Sequence, residues 1–293
     1  IGLSGRQAKR IIMIGSRTGS ARPQHLLVTL LGDYWKGRKD HIPSAALVKI
    51  LGEFEVSGLA ARSALSRLTA RGLLVRSQRG RRTFYGLTDR AQRTLDEGAR
   101  RIFSFGATDG HWDGKWSVVA FSVAEADRDR RHVLRSRLRW LGFAPLYAGV
   151  WVSPRGDLER VAGMLDELGI EDATLFRAEA LPRRGDGAGP LRAWSLAELR
   201  RRYQGFIRRF SGLRSRLRAG KIAPREALRD RTRLMDAWRA FPREDPELPV
   251  EFLPRDWPRR EARALFLELY DGLGEMAERR VAELVAESSR SAP

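Results

Sequence analysis

Between Val56 and Thr88 the chain carries seven arginines (Arg62, Arg67, Arg71, Arg76, Arg79, Arg81 and Arg82) and no acidic residue. The same stretch shows two periodicities in succession. Ala61, Ala64, Leu65 and Leu68 recur at i, i+3, i+4 and i+7, the stripe of a helix with one face toward a core. Leu73, Leu74 and Val75, then Thr83, Phe84 and Tyr85, read as two strands turned at Gly80. Ser57 suits the N-cap of the helix, and Gly72 stands where a helix end takes the left-handed conformation. A helix followed by a hairpin, both basic, is the sequence form of a winged helix. The helix suits a DNA major groove and the hairpin suits the neighbouring backbone, where phosphates supply most of the affinity. A helix and hairpin used only for protein contacts is the alternative. The groove-facing candidates are Arg62, Ser63, Ser66, Arg67 and Arg71. Arginine can read guanine through two hydrogen bonds, and serine more often meets phosphate. Gln78, Arg79, Arg81 and Arg82 form the tip of the wing.

The positive charge is not confined to that stretch. Lys and Arg number 55 against 36 Asp and Glu, a formal net charge of +19. Six of the 55 are lysines (Lys9, Lys36, Lys39, Lys49, Lys115 and Lys221), leaving 49 arginines. Such an excess calls for a polyanion: nucleic acid, a membrane surface or a phosphorylated small molecule. Cysteine is absent, which excludes disulfides, thiolate metal sites and thiol catalysis and is compatible with a reducing cytoplasm. Apolar runs such as His25 to Leu31 are far too short to cross a membrane. Ile1 to Ser20 lacks the apolar core and cleavage site of a secretion signal. A cytoplasmic, non-membrane protein is expected. His25, His41, His111 and His132 are scattered with no partner at metal spacing. No His-Glu-x-x-His, phosphate-binding loop or nucleophile elbow occurs. No catalytic residue, metal or cofactor is expected. Glu53 and Glu55, just ahead of the arginine-rich helix, read as solvated.

The rest of the chain divides by pattern. Residues 1–20 are basic and rich in Gly and Ser, an arm that is mobile unless bound. Helices are expected from Pro23 to Trp35 and after Pro43. A winged helix over 21–106 is closed by a helix from Thr88 to Phe105. A linker with Gly106, Asp109, Gly110 and Gly114 leads to a β-α-β-β-α-β block over 115–181: strand Trp116–Val123, helix Asp127–Leu141, one or two strands within Phe143–Ser153, helix Asp157–Leu168 and strand Thr174–Ala178. That order suits a ferredoxin-like fold. A second linker, Pro182 to Pro190, carries Gly185, Gly187 and Gly189. Residues 191–288 read as a helical domain with helices over Ser195–Ala219, Pro224–Phe241 and Arg259–Ser288. The fold class is therefore α+β. The segment from Trp194 to Arg239 is basic and that from Glu244 to Glu287 acidic, so the two can neutralise each other. Trp151, Trp194, Tyr203, Phe206, Trp238 and Trp257 form either core or an apolar pocket. In the second case Arg200, Arg201, Arg202, Arg208 and Arg209 would hold the phosphates of its ligand.

Three segments resemble the PaaX family of bacterial repressors. They are Ala61 to Leu68 (ARSALSRL) with Gly72; Leu141 to Pro154 (LGFAPLYAGVWVSP); and Trp238 to Pro249 (WRAFPREDPELP), continuing through Leu253-Pro254 and Trp257-Pro258 to Leu269-Tyr270. The resemblance covers about residues 21–286. It implies a transcriptional repressor of aromatic catabolism that binds double-stranded operator DNA as a homodimer. Release would come from an aryl-CoA, typically phenylacetyl-CoA, or another acyl-CoA. Trp194, Arg200, Arg201, Arg202, Tyr203 and Trp238 are the candidate effector residues. The family's middle domain is similar to the ferredoxin-like CRISPR adaptation nuclease, which holds metal through an Asp at the end of its first strand. Here that strand ends Ala120-Phe-Ser-Val123, and Ser122 stands in the Asp position, against metal-dependent cleavage. A nuclease-like enzyme built on the middle domain, and a basic DNA-binding scaffold without effector, are the alternatives.

Overall fold

In the computed structural model the described residues are 22–107, 112–181 and 189–290. The expected arm over residues 1–20, the linker residues Asp109 and Gly110, and the glycines Gly185 and Gly187 lie outside them. The chain is a mixture of helix and two small antiparallel sheets. It packs as two units, one built from the chain through Ser104, Ile207–Trp238 and from Arg263 onward, the other from Phe105–Phe206 and Arg239–Ala262.

In the first unit, α1 (Arg22–Tyr34), α2 (Ser44–Gly52) and α3 (Gly58–Ala70) are followed by the hairpin β2 (Leu74–Arg79) and β3 (Arg82–Leu87), and then by α4 (Asp89–Ser104). Leu27, Leu30, Leu31, Leu47, Ile50, Leu51, Leu65 and Leu68 make a common core, each at most 2% exposed. A two-residue strand, β1 (Ile42–Pro43), pairs with β3 and makes the hairpin a three-stranded sheet in the order β1-β3-β2. Sequence pattern gave no sign of β1, because two residues cannot show alternation and one of them is proline. The hairpin closes through two residues, Gly80 and Arg81, between the paired Arg79 and Arg82. Gly80 has a φ of +60°, at the first turn position where a type II′ connection requires glycine.

The same unit contains four helical segments from the C-terminal third. They belong to α7 (Leu196–Arg218), α8 (Pro224–Trp238), α10 (Arg259–Gly272) and α11 (Gly274–Arg290). The expected single helix over Arg259–Ser288 is broken. Gly272 and Gly274 flank Leu273, and two glycines two positions apart remove the propensity that would carry a helix through. The α11 half then packs on α8 and α2.

The second unit holds β4 (Trp116–Phe121), α5 (Arg128–Trp140), β5 (Ala144–Tyr147), β6 (Val150–Ser153), α6 (Leu158–Leu168) and β7 (Ala173–Ala178). All neighbouring strands are antiparallel in the order β5-β6-β4-β7, the ferredoxin-like arrangement. Val119 lies opposite Trp151 on one side and Leu175 on the other. These three face a core with Leu134 and Leu138 of α5 and Val161, Met164 and Leu165 of α6. A second cluster joins the start of α7 to the short helix α9 (Phe241–Glu244). Tyr203 stacks on Phe241 at 4.2 Å, its hydroxyl donates to Asp245 at 2.5 Å, and Arg259 reaches the same carboxylate at 3.4 Å. Burial first, then the Asp245 charge, drives the Tyr203 hydroxyl far above its ordinary range.

Candidate nucleic-acid interface

α3 is built as its sequence pattern specifies. The Ser57 hydroxyl accepts from the Ala60 amide at 3.3 Å and caps the first turn. Ala61, Ala64, Leu65 and Leu68 are at most 1% exposed. At the other end Gly72 has a φ of +68°. The Leu73 amide donates to the Leu68 carbonyl and the Gly72 amide to Thr69, both at 2.9 Å, the paired bonds of a Schellman ending. This closure starts β2 two residues later and fixes where the hairpin leaves the helix.

Burying that stripe turns the polar residues of α3 outward. Arg62, Ser66 and Arg67 are exposed, and Ser63 and Arg71 half-buried. On the hairpin Gln78, Arg79, Arg81 and Arg82 are all exposed. Arg79 lies over the Phe84 ring at 5.4 Å. Arg82 donates to the Ser289 carbonyl in the last turn of α11 at 3.2 Å, so this hairpin residue also ties its strands to the C-terminal helix. Helix and hairpin thus each present exposed arginines. Leu59, in the first turn of α3, is 76% exposed, a residue that sequence periodicity passed over.

The turn ahead of α3 corrects one expectation. Glu53 is not solvated: it is 7% exposed. Its carboxylate accepts from Arg280 of α11 at 2.7 Å and from Arg225 of α8 at 2.5 Å. Burial raises its pKa, but the hydrogen bonds and charges of Arg280 and Arg225 more than reverse this and hold it below the usual carboxylate value. Glu55, with a φ of +65°, accepts from Arg229 at 2.9 Å and is itself exposed. Two histidines also have structural partners. His25 pairs with Asp236 of α8, and His41 meets the Ser77 hydroxyl of β2 at 2.6 Å. The segment of α2 and α3 is therefore gripped by the C-terminal helices through charge as well as through its core.

The candidate effector residues are placed as follows. Arg200 pairs with Asp256 at 2.5 Å, Arg201 with Glu198 and Arg202 with Glu244. Hydrogen bonding and charge from Arg201 hold Glu198 below its ordinary range. Within the second unit, basic and acidic segments do neutralise each other at the Asp256 and Glu244 pairs, while the Glu198 pair lies inside the basic segment. The aromatic residues do not form one cluster. Trp194 stacks on Trp116 at 6.0 Å. Tyr203 and Phe206 gather around Phe241, with Trp257 against Tyr203. Trp151 lies in the sheet core. Trp238, in the first unit, stacks on Phe266 at 4.8 Å, and its ring N–H donates to the Ile102 carbonyl at 3.3 Å. Tyr203 and Trp238 are both fully buried. Ser122 is exposed at the end of β4, its amide donating to the Asp172 carbonyl at 2.9 Å. Among the described residues no helix is long and apolar enough to cross a membrane.

A basic helix and hairpin, an antiparallel β-α-β-β-α-β sheet and a helical C-terminal region define an α+β protein with an arginine-rich N-terminal region. The family models for a PaaX-like protein, the PaaX protein central Cas2-like domain and the PaaX-like protein C-terminal domain match residues 22–91, 109–188 and 194–283 in turn. The transcriptional repressor PaaX of Escherichia coli (strain K12) is 30% identical over 252 residues, 84% of this chain and 78% of that protein. The chain belongs to the PaaX family. Its fold is shared with a solved structure, the uncharacterized protein Rv0674 from Mycobacterium tuberculosis, at a TM-score of 0.54 and 22% identity, covering 89% of this chain and 97% of that one.

Proposed function

We propose that this chain is a DNA-binding transcriptional regulator. On this reading it represses an aromatic-catabolic operon of the phenylacetate type, acting in the cytoplasm as a homodimer on double-stranded operator DNA. Phenylacetyl-CoA or another acyl-CoA releases it. The observation that carries the reading is the arginine face of α3, β2 and β3. Residues 56–88 contain no carboxylate to oppose a phosphate backbone. We read α1 to α3 with β1 to β3 as a winged helix, α3 entering the major groove and the hairpin resting on the adjoining backbone. The repressor role follows the Escherichia coli relative, a transcriptional repressor by name. The operon and the effector follow the family resemblance.

Two copies are invoked because one such helix reads only a short half-site, and symmetric regulators pair half-sites about one helical turn apart or a multiple of that. The effector acts by binding one conformation of the dimer better than the other; equal affinity for both would shift nothing. Arg200, Arg201 and Arg202 are the proposed phosphate partners, with Trp194 beside them in sequence. Each of these arginines already holds a carboxylate, so a CoA phosphate would exchange one anion for another. The test is fluorescence anisotropy on DNA from upstream of the protein's own gene, with random DNA as control and phenylacetyl-CoA as titrant, alongside light scattering. Preferential binding by a dimer, weakened by the thioester, is the expected outcome. Equal binding to both DNAs would refute the regulator. Preferential binding indifferent to a panel of acyl-CoAs would leave a DNA-binding protein without this effector.

A further inference from the structure

Successive residues of α3 are turned by about 100°, so its surface resolves into rows. Ala61, Ala64, Leu65 and Leu68 face the core. The row opposite them is Leu59, Ser63, Ser66 and Ala70, each exposed or half-buried. This ridge carries no charge. Arg62 stands on one flank of it and Arg67 on the other. Small neutral side chains along the crest let a helix come close to the floor of a groove, while flanking guanidiniums reach toward base edges or the two phosphate strands. Leu59 is the one bulky residue on the crest. It is 76% exposed and lies in the N-terminal turn, the part of a recognition helix that meets base edges. Arg62 reaches back over the same turn: a Cβ added at Gly58 would sit 3.5 Å from its guanidinium. In the free protein the isobutyl group of Leu59 is solvated. Apolar contact removes such surface from water, and the major groove offers one apolar group, the C5-methyl of thymine.

We propose that Leu59 is a specificity-determining residue that reads a thymine in the major groove by contact with its C5-methyl. The inference rests on the DNA-binding reading above. It separates methyl recognition from any general preference for A·T pairs, because uracil pairs as thymine does and lacks only the methyl.

The experiment uses the full-length protein and duplexes that it enriches from a random-sequence pool. Thymines in the enriched sequence are replaced one at a time by deoxyuridine. One position per half-site is expected to weaken wild-type binding by about fourfold, the worth of one buried methyl. Leu59→Ala is expected to lose a similar factor on thymine DNA and nothing further on the uracil duplex. Leu59→Met, still apolar and long, is expected to keep the sensitivity to uracil. The exposure of Leu59 keeps all three proteins equally folded, which thermal melting verifies. Wild-type affinity in Leu59→Ala overturns the inference, as does an undiminished uracil penalty in that variant. Failure of the wild type to enrich any sequence would instead refute the DNA-reading function itself, and the inference with it.

Discussion

Replacing Arg81 and Arg67 separately distinguishes anchoring from reading. Six exposed arginines occupy the face: Arg62 and Arg67 on α3, and Arg76, Arg79, Arg81 and Arg82 on the hairpin. Were all six to meet phosphates, the logarithm of affinity would fall with the logarithm of salt at a slope of about −5 per protomer. Arg81 follows Gly80 at the hairpin turn, far along the strand from the α3 junction, where the winged-helix reading assigns it to the backbone or the minor groove. Arg81→Ala therefore weakens selected and random DNA by similar factors and makes the slope shallower by about one. Arg67 lies mid-helix beside the crest of α3. Arg67→Ala costs about 1–3 kcal/mol on selected DNA and less on random DNA, so specificity falls. The assay is anisotropy on both DNAs at several salt concentrations. Equal loss on both for Arg67→Ala, with loss on selected DNA alone for Arg81→Ala, would reverse the assignment of helix to bases and hairpin to backbone.

Three further outcomes concern the scaffold beneath that face. Glu53→Gln removes the charge held by Arg225 and Arg280 and costs about 2 kcal/mol near neutral pH. Because the folded-state pKa of Glu53 is depressed, its contribution is full above its ordinary value of 4.5 and vanishes as pH falls through the lower folded value; denaturant melts across acid pH should show wild type and variant converging, and a constant gap would contradict the ionic account. Ser57→Ala deletes the α3 cap and costs about 1 kcal/mol in the same melts, with no change in contacts elsewhere. Tyr203→Phe strips a hydroxyl from the buried Asp245 and costs about 1–3 kcal/mol, while a thermal midpoint equal to wild type would mean that Arg259 suffices for that carboxylate.

Local chemistry made much of this molecule legible from sequence. Ser57, the Ala61–Leu68 stripe, Gly72 and Gly80 each act on neighbours a few residues away, and each does what its position specifies. The β-α-β-β-α-β order was equally readable, since its strands and helices carry their own periods. Glu53 was not. Its partners are 172 and 227 residues distant, and nothing in a local window distinguishes a carboxylate awaiting two arginines from a solvated one. The aromatic residues, read as core or pocket, show a different limit. Trp151, Trp194, Tyr203 and Trp238 share a composition signal, but separate cores absorb them. Leu59 was overlooked because amphipathic patterning looks for apolar residues on the inner face and has no place for one on the crest.

The strand order β1-β3-β2 leaves β2 at the rim of its sheet. A rim strand is a template on which another chain can add, and Val75, 44% exposed there, favours such growth. Arg76 and Arg79 on the same strand oppose it, since a like strand approaching would bring guanidiniums together. Those arginines thus guard the protein against self-association whenever no polyanion covers them. The guard weakens at high ionic strength, where screening shortens its reach to a few ångströms. Salt that strips the protein from nucleic acid during purification also disarms that defence, and trimming the hairpin of its arginines to simplify binding studies would trade affinity for aggregation.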